Sequence, residues 1–398
     1  MISLRKILVI PLLLFVLSGC RGGSGSSQNT GEMGLRAANA SVASEAAGEK
    51  DWLLFRGNTA MTGYSDAVIP EKPTLLWSFE TDARTSSSPV IADGITYWSD
   101  RRGHIRGVNL DGEQVFSYDF QTAVNASPMI YNGTLYIGRI DGFMSAVSLS
   151  QKDTVWTFET MGQLEASANH AYFSDKHAII IGSYDNFLYV LDSSTGAKIA
   201  NYESGYYING AVALWNNHVI FGGCDSWLRI INLQTGISTD SLLLENYIPS
   251  SPAIVDNYCY VGDYSGNIFQ IHLENGKFES HKIILKASED GDFSSVPAVT
   301  AQSVYVLSSD RHLYSINRSD GNVNWKYLLK GSTGASSPVV CKDKIIVCTR
   351  TGIVSILDAK TGALLWEFDT GEQILASPAV INGRFYILTG RGTLLCFG

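Results

Sequence analysis

The side chains of this sequence best suited to metal or redox chemistry are seven histidines and six cysteines, and their spacing builds no site. His104, His170, His177, His218, His272, His281 and His312 show no metal-ligand spacing. His104 and His312 fall at equivalent turns of an internal repeat, which makes them decoration of that repeat. Past Cys20, the cysteines Cys224, Cys259, Cys341, Cys348 and Cys396 form no CxxC, CxxCH or adjacent pair and read as small core residues. Their odd number leaves at least one free or paired between chains. Walker, HExxH, GxSxG and GxGxxG motifs are absent. The sequence therefore assigns no catalytic residue, no cofactor-binding residue and no metal ligand.

Recognition chemistry is better represented. Arg101, Arg102, Arg139, Arg311, Arg350 and Arg391, six of the fifteen arginines, sit in short turns such as "SDRRGH" (99–104), "RTGI" (350–353) and "GRGT" (390–393). Corresponding turns elsewhere pair an acid with an aromatic: Tyr184 and Asp185, Asp225 and Trp227, Asp263 and Tyr264. Arginine and exposed aromatics are what protein interfaces enrich, so these residues form the candidate partner-binding face. Polar turns are also the ordinary solvated choice.

The elements that position those turns repeat roughly every 40 residues. Copies begin "SPVIADGITYWS" (88–99), "SPMIYNGTLYIG" (127–138), "SPAIVDNYCYVG" (251–262), "SPVVCKDKIIVC" (337–348) and "SPAVINGRFYIL" (377–388), with weaker ones at 172–182, 209–222 and 295–308. Each reads as two alternating strands around a tight turn. Asp93-Gly94, Asn132-Gly133 and Asn382-Gly383 supply the positive φ that such hairpins favour. A third strand follows, then a "TG" turn and a fourth strand carrying Phe116, Trp156, Trp325 or Trp366; the third, fourth and fifth copies place Ala200, Asp240 and Ser280 there.

Eight such units predict an all-β, eight-bladed β-propeller of four-stranded antiparallel blades. The eighth copy lacks its fourth strand, while "PTLLWSFET" (73–81) precedes the first copy with no partners of its own. The N-terminal strand is thus expected to complete the last blade, closing the ring and protecting both edges. Seven blades remain the alternative, with one weak copy in 172–246 as an insertion. In a closed ring the arginine turns of copies one, two, six, seven and eight form one arc, and the acid-aromatic turns of copies three to five the other.

The ending "LDAKTGALLWEF" resembles the PQQ-type propeller repeat, and the resemblance covers residues 75–398. For an enzyme, the resemblance implies a PQQ-dependent quinoprotein oxidoreductase with an adjacent Cys-Cys pair and calcium ligands; the Cys-Cys pair is missing here and no position matches the calcium ligands. The chain is more similar to the BamB family, cofactor-free lipid-anchored propellers that act as scaffolds in inserting β-barrels into the outer membrane. That similarity rests on leader, tether, length and blade count. The opening "DWLLFRGNTAMTGYS" (51–65) instead resembles a wider group of exported PQQ-like repeat proteins of unassigned role.

"MISLRKILVIPLLLFVLSGC" has Arg5 and Lys6 before a short apolar run ending in a lipobox-like "LSGC". Residues 1–19 are expected to be a signal peptide, Cys20 the lipidated residue, 20–50 a flexible tether and 51–398 the propeller. Loss of the two leader cations takes the net charge from −9 to −11, which argues against nucleic acid as a partner. The expected location is the cell envelope, lipid-anchored at the outer membrane, with envelope proteins as partners, an outer-membrane β-barrel assembly component among them. A glycan-binding lipoprotein is the third reading, supported by Tyr184, Trp227 and Tyr264.

Overall fold

The computed structural model describes residues 50–288 and 291–398. The leader, Cys20 and the tether lie outside the described residues. Eight antiparallel sheets follow one another along the chain. Blade 1 comprises Val90–Ala92, Ile95–Ser99, His104–Val108 and Gln114–Asp119, and the same up-and-down order recurs through blade 7, which ends at Leu364–Asp369. Blade 8 takes Ala379–Ile381, Arg384–Leu388 and Leu394–Phe397 from the C-terminus and its outermost strand, Leu75–Phe79, from the N-terminal side. Trp77 pairs with Cys396 and Phe79 with Leu394, antiparallel. The expected closure is present, with all eight copies as blades.

The repeat motif is explained by packing between neighbours. Trp156 and Trp325 lie across the "TG" turn of the next blade, and Trp77 across the Asp111-Gly112 turn of blade 1. Trp156 Nε1 donates to Ser193 O at 2.9 Å and Trp325 Nε1 to Ala359 O at 3.2 Å. Gly362 has φ +72°, and a Cβ there would stand 2.6 Å from the Trp325 ring. Glycine is needed for its backbone conformation and for this approach together. Tyr136 and Tyr305 complete the pattern, donating their hydroxyls to the same two carbonyls at 3.0 Å.

Two details differ from the sequence reading. Asp93 and Asn132 have positive φ as expected, but in the third hairpin only Gly383 does. Asn382 is instead engaged through its side chain, accepting from Val68 N–H at 3.1 Å. In blade 5 the register opposite Tyr260 and Gln270 falls on Lys282, not Ser280, because the hairpin joining Asn267–Glu274 to Lys277–Lys286 is two residues longer between the paired positions than in blades 2, 6 and 7.

Residues 51–69 do something that periodicity could not announce. They run round the axis as a strap and bond to the innermost strand or hairpin of every blade. Trp52 exchanges two hydrogen bonds with Ile91, each 2.8 Å, and Leu53 O accepts from Ile130. Thr59 O takes Asn169 Nδ2 and Leu214 N–H; Ala60 O, Thr62 O, Gly63 O and Val68 O then accept from Ile254, Val299, Val340 and Gly383. Tyr64–Ser65 adds a parallel fifth strand to blade 7. The inner edge strands of a propeller carry free backbone groups, and the strap satisfies them. Trp52, Arg56 and Met61 are buried in it.

Candidate functional site

The inner strands enter from the face that carries the turns between second and third strands. There the serines of four of the five "SP" dipeptides join neighbouring blades. Ser127 Oγ accepts from Ser88 N–H at 2.7 Å, Ser88 Oγ from Ser377 at 2.9 Å, Ser377 Oγ from Ser337 at 3.0 Å, and Ser337 Oγ from Val296 at 2.9 Å. This chain of bonds runs round the axis from blade 6 through the closure to blade 2.

Inside the serine ring is a cup of about 210 Å³, with Phe55 of the strap, Asn125, Glu165 and Asn209 in its wall. Glu165 accepts from Asn125 Nδ2 at 3.1 and 3.2 Å. A quinone cofactor would need a larger space, since small-molecule sites run from about 300 to 1,000 Å³. Among the described residues no three His, Cys, Asp or Glu side chains could hold a metal ion, and all five cysteines there are free. The residues of the cup do not fit a quinone with its calcium.

Around the cup, the turn residues fall into groups that sequence alone could not separate. Arg101, Arg311, Arg350 and Arg391 are exposed and form no salt bridge among the described residues. Arg102 pairs with Asp82. Arg139 is largely covered: its Nε donates to Asp141 at 3.0 Å, and its guanidinium stacks 5.0 Å from the Phe120 and Phe143 rings.

The three aspartates of the other arc are bound up within their own turns. Asp263 is fully buried and accepts from Asn267 N–H at 2.9 Å and Asn267 Nδ2 at 3.1 Å. Asp185 takes Phe187 N–H, Tyr189 Oη and Met161 N–H. Asp225 accepts from Gly205 and Trp227 N–H and pairs with Arg229. Burial by itself would raise the Asp225 pKa, but Arg229 and the two amides outweigh it and hold the carboxylate below its ordinary range. Asp100 and Asp310 cap the turns of blades 1 and 6 in the same way. An acid closing the turn before the third strand is thus part of the blade.

What remains exposed on blades 3 to 5 is aromatic. Trp227 and Tyr264 are 37% and 50% exposed, joined by Tyr206 at 48%, Tyr207 at 38% and Tyr247 at 52%. Tyr184 stacks on Tyr207 with centroids 4.9 Å apart and planes at 7°, and Tyr206 lies 4.3 Å from Tyr207. Burial raises the Tyr184 phenol to about 12, so it stays neutral. Met161 and Leu243 extend the patch. The sequence reading found Tyr184, Trp227 and Tyr264 but missed Tyr206, Tyr207 and Tyr247, which lie in the loops between blades. "SGYYING" and "ENYIPS", each placing tyrosine just before a blade start, were the available signal.

A protein-family model described as "Outer membrane protein assembly factor BamB" matches residues 62–276 and 249–398. The outer membrane protein assembly factor BamB of Shigella dysenteriae serotype 1 is 33% identical over 343 residues, 81% of this chain and 77% of that protein. That of Legionella pneumophila is 31% identical over 147 residues, so the match spans about a third of either chain, 37% of this one and 36% of the relative. Among solved structures, BamB from Moraxella catarrhalis has a TM-score of 0.69 at 20% identity, covering 82% of this chain and 97% of that one. A quinohemoprotein alcohol dehydrogenase from Comamonas testosteroni has a TM-score of 0.73 at 13% identity, covering 88% and 81%. At such identities the two structures speak for the propeller fold alone. The family model spans the propeller from the strap to the last residue, and the chain belongs to the outer membrane protein assembly factor BamB family.

Proposed function

We propose that this protein is a non-enzymatic scaffold of outer-membrane protein assembly, held to the membrane through a lipid on Cys20. In this reading it docks an envelope partner on the face that carries the turns between second and third strands. The observation that carries the reading is the aromatic patch of Tyr206, Tyr207, Trp227, Tyr247 and Tyr264. Aromatic surface gathered on one face, beside acids already satisfied within their turns, has the composition of an interface core. Arg101, Arg311, Arg350 and Arg391 stand on the rest of the same face and would steer an acidic segment of the partner and fix its orientation. The partner that fits is a β-barrel assembly component taking part in outer membrane protein assembly, the process named in the description of the family.

Photocrosslinking tests this. A crosslinkable residue replacing Tyr206 or Tyr264 is expected to capture a β-barrel assembly component in intact envelopes. The same probe replacing Ile237, exposed on the outermost strand of blade 4, is expected not to. Equal capture from both positions, or capture of no assembly component from the patch, would contradict the docking face. Labelling of Cys20 by a radioactive fatty acid, lost in Cys20→Ala, tests the anchor.

A further inference from the structure

Every blade lends the axial cup one rim residue, two positions before the serine of its "SP" dipeptide or the residue that replaces it. All of these rim residues are half-buried or exposed, so the cup stands open to solvent. Blades 2, 3 and 4 supply Asn125, Glu165 and Asn209; blades 5, 7 and 8 supply Pro249, Ala335 and Leu375, and serines fill the other two places. The cup thus has a polar side bearing one carboxylate and a largely apolar side across the axis. We propose that it receives a single cationic side chain, the guanidinium or ammonium group of a basic residue. That the docked partner presents this residue rests on the docking reading above.

Glu165 is the one ionisable group of the lining, and it forms no salt bridge among the described residues. Asn125 Nδ2 donates to its two oxygens at 3.2 and 3.1 Å, which fixes the carboxylate without cancelling its charge. A carboxylate has about four lone-pair positions, so acceptor capacity remains for a second donor.

The aromatic patch begins at this polar rim. Tyr207 and Tyr247 stand two residues before Asn209 and Pro249. Tyr184 donates its N–H at 3.0 Å to the carbonyl of Gln163, two residues before Glu165. Burial first, and after it the charge of Glu165, raises the Tyr184 phenol to about 12, which sets the carboxylate beside these rings. A partner seated on the patch therefore covers the cup. A carboxylate sealed under an interface without a counter-ion is costly, so the fit requires positive charge from the partner's side. Phenol faces attract a cation, while Phe55 and the apolar rim offer surface to its aliphatic stem. The volume of about 210 Å³ suits one side chain better than a whole small molecule. A calcium ion is a poorer occupant, since it takes about six to eight oxygen ligands and the lining holds one carboxylate.

Isothermal titration of the full chain with N-acetyl-arginine amide, and with its uncharged isostere N-acetyl-citrulline amide, tests the cup. Saturable one-to-one binding of the arginine compound at millimolar concentration is expected. Binding should be at least tenfold weaker for citrulline, and at least tenfold weaker in Glu165→Gln. Absence of saturable binding, equal binding of citrulline, or undiminished binding by a folded Glu165→Gln would each overturn the proposal. Recovery of the β-barrel assembly component from solubilised envelopes tests the source of the cation, and Glu165→Gln should lower it at least tenfold. Undiminished recovery by this variant, beside a loss in Tyr206→Ser/Trp227→Ser/Tyr264→Ser, would refute a partner's side chain in the cup and leave the docking face standing. Recovery of no component by wild type would strike the docking reading, and the titration alone then decides the cup.

Discussion

Ser377 and Ser88, 289 positions apart, are joined by a hydrogen bond of 2.9 Å from the backbone N–H of the first to the hydroxyl of the second. The bond crosses the seam at which the last blade meets the first. Both residues are buried, so Ser88→Ala leaves a buried amide without an acceptor. The expected loss of stability is about 1–3 kcal/mol, read from the urea midpoint. A change within error would mean that the serine ring does not hold the seam.

The "TG" turns make a paired prediction. Gly362 and Gly371 have nearly equal φ, +72° and +69°, but a Cβ on Gly362 meets the Trp325 ring at 2.6 Å while one on Gly371 meets nothing within 4 Å. Gly371→Ala should cost only the backbone term, about 1–2 kcal/mol. Gly362→Ala should cost clearly more and shift the tryptophan emission, because the ring must leave its seat. Equal costs would remove Trp325 from the account of blade packing.

Arg56 is the strap's least comfortable residue. It is wholly buried, and among the described residues its side chain donates one bond, from Nη2 to Pro297 O at 3.2 Å, and forms no salt bridge. Burial lowers its pKa to about 9, so at neutral pH a cation is buried without a counter-ion. Arg56→Met should stabilise the protein by about 1–4 kcal/mol in urea unfolding near neutral pH. A lower midpoint would show that the guanidinium is paired by something bound beside it.

His170 gives the fold an acid sensitivity. Burial, and after it the neighbouring His177 ring at 3.1 Å, pulls its pKa to about 4. Since the folded value lies below the ordinary 6.5, the unfolded chain binds the proton first. The neutral ring's contribution is whole above about pH 6.5 and is lost as pH falls towards 4, by about 3 kcal/mol at most. Urea unfolding at about pH 7 and pH 4.5 should show a larger acid loss for wild type than for His170→Gln. An equal loss would rule out His170 as a source.

Blade count and closure were legible because each blade repeats the same chemistry. A tryptophan needs a glycine beneath it, and a hairpin needs a residue tolerant of positive φ, so packing leaves a period in the chain. The strap left none, because Leu53, Thr59, Ala60, Thr62 and Gly63 work through backbone carbonyls, each with a different blade. Ser280 was read in place of Lys282 because a hairpin lengthened by two residues shifts the register without altering composition. Asp185, Asp225 and Asp263 were read as surface charge, although an acid at one of two positions in the corresponding turns of blades 1, 3, 4, 5 and 6 was a sign of capping. The proposed docking face was legible in its turns and not in its interblade tyrosines, since those loops have no fixed length.

The central claim is that the aromatic patch docks a β-barrel assembly component. The most direct measurement is quantitative recovery of that component from solubilised envelopes, using wild type beside Tyr206→Ser/Trp227→Ser/Tyr264→Ser. A second comparison variant carries Arg101→Glu, Arg350→Glu and Arg391→Glu. The account predicts recovery by wild type, loss of at least tenfold in the aromatic variant, and a smaller, salt-dependent loss in the arginine variant. Undiminished recovery of the component by a folded aromatic variant would contradict it.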